Sequence, residues 1–71
     1  MDPSMAEMFS TCENIVTCKI EWMQHQKFSE AYQIIELKLF LEEKVKDSSI
    51  NPIAKCMLRF LVESQLSKFN C

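Results

Sequence analysis

Not one glycine occurs in the 71 residues of this chain, and only two prolines, Pro3 and Pro52, interrupt it. Tight hairpins, phosphate-cradling loops and dinucleotide turns all lean on glycine, so each is disfavoured. So little punctuation favours a few long helices with short connections. The length allows one domain, and a core of this size is worth only about 3–5 kcal/mol. Small scaffolds of that kind often rely on a staple, a metal or a partner. Hydrophobic residues make up 48% of the chain, which places it among folding rather than disordered sequences.

Three helices are legible. Ser4-Met5-Ala6-Glu7 has capping-box spacing, with Ser4 as N-cap and Glu7 reaching back. A stripe through Met5, Met8, Phe9, Cys12, Ile15, Val16, Trp22 and Met23 follows, with Lys19 snorkelling from its edge. It fades at Gln24-His25-Gln26-Lys27. A second helix is expected over 28–46. Asp47-Ser48-Ser49 breaks that pattern, and Asn51-Pro52 supplies an N-cap followed by proline at the first helical position, where its missing N–H costs nothing. The third helix carries Ile53, Met57, Leu58, Phe60, Leu61, Val62, Leu66 and Phe69. Short loops imply antiparallel neighbours.

The second helix carries two apolar stripes. Phe28, Tyr32, Ile35 and Leu39 lie on one side; Ile34, Leu37, Leu41 and Val45 lie on another, about 120–160° around at ~3.6 residues per turn. A helix that closes one small core needs a single stripe. The first set, continuing directly from the turn after helix one, is expected to form the core. The second set then asks for a partner.

Other chemistry finds little support. The net charge is −2, with basic residues scattered rather than clustered, so there is no electrostatic footprint for nucleic acid. No stretch has the length and apolarity of a membrane span, and the N-terminus lacks signal-peptide character. The four cysteines are therefore read as thiols in a reducing compartment, cytoplasmic or nuclear. Cys12 and Cys18 fall on different helix faces, Cys56 and Cys71 are remote, and C-x-x-C spacing is missing, so no metal site is expected. Cys71 offers a terminal site for oxidation or cross-linking. His25 has no recognisable nucleophile and orienting group, and reads as a polar helix end. Glu30, Glu36, Glu42 and Glu43 read as a solvated face without the apolar pocket that splits carboxylate pKa values. Trp22 and Tyr32 are either interface anchors or core residues. Met5, Met8 and Phe9 form either an adaptable binding surface or a first turn covering the bundle end.

Gln26-Lys27-Phe28-Ser29-Glu30-Ala31 resembles the Gly-x-aromatic-x-x-Ala turn of tetratricopeptide repeats and of microtubule-interacting-and-transport domains. The latter are three-helix bundles of about this length. Their third helix commonly ends in aromatic-Leu-x-Arg-Ala-Glu. Phe60-Leu61-Val62-Glu63-Ser64-Gln65 keeps the first two positions and puts an acid where the arginine would be, and Gln26 stands in place of the glycine. The resemblance implies a groove between helices two and three that receives a partner's short helix or extended peptide.

The expectation is an all-α, three-helix, up-down-up bundle completed by a partner or a second copy. Residues 1–4 read as a cloning remnant ahead of a natural start at Met5, the other reading being that Met1 is native and Met5 packs. Residues 5–71 read as one interaction domain or a fragment of a longer protein. The function expected is a protein–protein interaction or oligomerisation module, not an enzyme and without cofactor. Its partner would be a homodimer mate or a helical or peptide segment of another protein. The partner-binding residues expected are Ile34, Leu37, Leu41, Val45, Leu58, Val62 and Leu66. The alternatives are a membrane-surface module, weakened by polar faces that are not basic, and a packed piece of a longer helical array.

Overall fold

The computed structural model of the protein describes residues 3–70. Cys71, and the part of the expected cloning remnant formed by Met1 and Asp2, lie outside them. Three helices make up the fold: α1 (Met5–His25), α2 (Glu30–Lys46) and α3 (Pro52–Ser67), followed by one 3-10 turn over Lys68–Asn70. No strand occurs among the described residues. The body measures 41 × 22 × 21 Å, and the 21-residue α1, at about 1.5 Å per residue, spans roughly 31 Å.

Each helix starts on a polar side chain that takes up an orphan N–H. The Ser4 hydroxyl accepts from the Glu7 amide at 3.1 Å, and the Asn51 side-chain oxygen accepts from the Ile53 amide at 2.8 Å, with Pro52 at the first helical position. The second helix differs from expectation. It begins at Glu30 rather than Phe28, because the Ser29 hydroxyl accepts from the Tyr32 amide at 3.2 Å and caps it. Phe28 is left outside the helix, its carbonyl accepting a 2.9 Å bond from the Gln33 side chain.

The α1–α2 turn shows how a chain without glycine reverses. Lys27 takes a left-handed conformation, with φ of 60°. Its amide donates to the Gln24 carbonyl at 2.9 Å, and the Phe28 amide donates to the Met23 carbonyl at 3.2 Å. That pair of bonds is a Schellman closure, and the Phe28 ring meets the Trp22 ring edge-on at 5.5 Å as its hydrophobic contact. A β-carbon in this conformation costs about 1–2 kcal/mol, partly offset by the lower unfolded-state entropy of lysine relative to glycine. Lys27→Gly is therefore expected to stabilise the fold by about 0.5–1 kcal/mol. The effect should appear as a higher urea midpoint with an unchanged denaturant slope.

The α2–α3 turn is held by Asp47, whose carboxylate accepts from the Ser49 amide at 2.9 Å and from its hydroxyl at 2.6 Å. These bonds hold the Asp47 carboxyl below its usual range. Its contribution is thus present above the ordinary carboxylate pKa and is lost as pH falls through the lowered value.

The core consists of Cys12, Val16, Met23, Leu37, Leu58 and Val62, with Ile20, Phe28, Phe40, Leu41, Leu61, Leu66 and Phe69 packed against it. Both α1 and α2 pack most closely on α3. The seam with α1 runs from Cys12, whose thiol approaches the Ala54 carbonyl at 3.7 Å, to Ile20, which lines a cleft with Leu61 and Lys68.

This core reverses the expected faces of α2, although Phe28, just outside the helix, does pack against the core as expected. Leu37 is fully buried, whereas Tyr32, Ile35 and Leu39 are more than half exposed. Leu58 and Val62, also expected at a partner surface, are buried in the core, while Ile34, Leu41, Val45 and Leu66 are half-buried. The reason lies in Phe40, which widens the Leu37 side into Ile34–Leu37–Phe40–Leu41, an unbroken aliphatic and aromatic surface. The competing stripe contains Tyr32, whose phenol needs a polar partner when buried. The wider, drier stripe goes inside.

Candidate partner surface

The side of α2 that the core leaves outside is apolar along more than two turns. Tyr32, Ile35 and Leu39 are three and four residues apart, hence neighbours on one helical face. They are 54, 55 and 53% exposed. The strip does not stop at the start of α2. Tyr32 lies against Phe28, with ring centroids 4.9 Å apart, and Phe28 meets Trp22, itself 46% exposed. The turn that closes α1 thereby joins an aromatic of α1 to the outer face of α2.

Trp22 is held in place. The Lys19 ammonium sits 4.4 Å from the centre of its ring and pairs with the Glu36 carboxylate at 3.2 Å. Lys19, expected to snorkel outward from the stripe's edge, is instead a half-buried bridge from α1 to α2. The partly exposed ion pair is worth at most about 1 kcal/mol, but it fixes the indole beside Phe28. A rigid aromatic anchor loses little entropy when another surface covers it. At roughly 100 Å² apiece, the four exposed side chains make a patch on the order of 400 Å², within the range of the largest, often functional, patch on a monomer.

Two other apolar features lie apart from this strip. Ile53 and Phe60 are both exposed, Phe60 at 63%, on the face of α3 that points away from Leu58 and Val62. They stand two turns apart, with the exposed Cys56 three residues from one and four from the other, and carry no Trp or Tyr. An open groove of about 380 Å³ runs between α2 and α3, floored by Leu41 and Val45 and rimmed by Lys38, Glu42, Lys46 and Arg59. Of the expected partner set, Leu41 and Val45 line this groove.

The remaining candidates are separated. His25 closes α1 as an exposed residue, and Glu30, Glu42 and Glu43 are exposed on α2. No cluster of three His, Cys, Asp or Glu that could hold a metal occurs among the described residues, and no described helix is long and apolar enough to cross a membrane. Met5 is exposed, with Met8 and Phe9 half-buried. Burial pushes the Cys12 thiol up, leaving it less nucleophilic, whereas Cys18 and Cys56 are exposed. Iodoacetamide followed by peptide mapping should therefore label Cys18 and Cys56 first. Cys12 should react only as the protein opens.

Periodicity alone revealed both stripes and put Phe28 in one of them, but did not find that Trp22 of α1 extends it. The signal was present in Ser29, whose capping role places Phe28 outside the helix and back against α1. Compared with known proteins, the chain matches no family model, no curated protein and no solved structure.

Proposed function

We propose that this chain is a helical protein–protein interaction module, an up-down-up bundle that uses the strip Trp22–Phe28–Tyr32–Ile35–Leu39 and acts without catalytic group or cofactor. One observation carries the reading: four large apolar side chains stand about half exposed on a connected strip, although the other stripe of the same helix fills the core. Burying an exposed apolar strip is the dominant gain in most protein association. Trp and Tyr are the residue types that most often anchor such interfaces. The charges flanking the strip are mixed, with Glu36, Lys38, Glu42, Glu43 and Lys46 interspersed, which suits a protein better than an anionic lipid surface.

Photo-crosslinking tests this. Benzoylphenylalanine placed at Tyr32 or Leu39, in cells that express the chain, is expected to give a discrete protein adduct. The same group at exposed Glu63 on α3 should give none. Equal diffuse labelling from all three positions, or adducts with lipid alone, would overturn the assignment.

A further inference from the structure

We infer that the occupant of this strip is a second copy of the chain, its α2 laid antiparallel across the first about a two-fold axis midway between Ile35 and Leu39. The inference rests on the interaction reading and commits it to one partner. Its support is the order of chemistry along the strip. Tyr32, Ile35, Leu39, Glu42 and Lys46 are spaced alternately three and four residues apart, the spacing of a helix–helix seam, and the Phe28 ring, outside the helix, packs on Tyr32 at the strip's end. Read outward from the middle, Ile35 balances Leu39, Tyr32 balances Glu42, and Phe28 balances Lys46.

An antiparallel pair brings those partners face to face. Two central layers match Ile35 of one copy with Leu39 of the other. The next pair sets the Tyr32 phenol against the Glu42 carboxylate, a donor meeting an acceptor. The outermost pair sets the Lys46 ammonium against the Phe28 ring, a cation on an aromatic face, the Trp22 ring being already covered by Lys19. A parallel pair would instead stack Glu42 on Glu42 and Lys46 on Lys46. The like charges near the two-fold axis are Lys38, whose long stem lets its ammonium turn outward, and Glu36, already paired with Lys19. Size agrees as well. A standard interface covers about 800 Å² per partner, of which roughly 57% is non-polar, close to the strip's apolar patch on the order of 400 Å².

Sedimentation equilibrium of the full chain from micromolar to millimolar concentration tests the pairing. A reversible monomer–dimer equilibrium is expected. Leu39→Glu should abolish it while circular dichroism stays unchanged, since Leu39 is more than half exposed. Lys46→Ala removes two symmetric cation–aromatic contacts and should raise the dimer Kd about tenfold. The parallel arrangement predicts the opposite, tighter dimers on loss of Lys46, and that result would overturn the geometry. A dimer indifferent to Leu39→Glu would place the interface elsewhere. A monomer at millimolar concentration would end self-pairing outright. Adducts to a different protein from Tyr32 would then leave the interaction reading standing, so the two failures are distinguishable.

Discussion

Leu37→Ala is expected to unfold the protein or bring it to the edge of unfolding. Leu37 is fully buried at the centre of α2, packed in one cluster with Leu58 and Val62 of α3 and Met23 of α1. Truncating such a leucine removes its transfer energy and leaves a cavity, at a cost of about 2–5 kcal/mol. That equals what a domain of this size commonly has to lose. Ile35→Ala, two residues away on the exposed strip, is expected to cost less than about 1 kcal/mol. Urea titration followed by circular dichroism compares the two directly. Equal losses would mean that the Ile35 strip is already covered in solution, and a concentration-dependent midpoint would then reveal the cover.

Val62→Asp is expected to have the largest effect of any single substitution considered, and to show it through pH. Val62 is fully buried on α3, within a cluster of apolar side chains. Burying an unpaired charge costs several kcal/mol, so the side chain avoids ionising and its folded pKa rises. The stability it permits is therefore fully present below the unfolded aspartate pKa and is lost as pH rises through the raised folded value. The variant should be unfolded at neutral pH and regain helicity on acidification. The parent moves the other way in acid, as Asp47 and its Ser49 bonds are protonated away. A variant folded at neutral pH would show that water or a lysine reaches Val62.

Much of this architecture could be read from local chemistry. Ser4 and Asn51-Pro52 mark helix starts because capping and proline placement are decided within one turn of chain. The two stripes of α2 were equally legible, since each is a matter of spacing. Which stripe faces inward is not local: it depends on α3, against which α2 packs. The deciding residue, Phe40, belonged to neither expected set, and once it is added the Leu37 side is the wider one. Ser29 does not stand out as a cap in the sequence, because the aromatic before it has the pattern of a helix's first turn. Lys27 could not be found from propensity at all, since a left-handed lysine is the choice a chain makes when it has no glycine at the turn.

The central place of α3 has a consequence for how the chain comes to be folded. Helices α1 and α2 precede it in synthesis but pack mostly on it, and Cys12 meets Ala54 across 42 residues of sequence. Until Pro52–Ser67 has been made, Met23 and Leu37 have no Leu58 or Val62 to close over them. The first two helices therefore wait as a hairpin apolar on both sides, and the nascent chain is prone to aggregate until α3 appears.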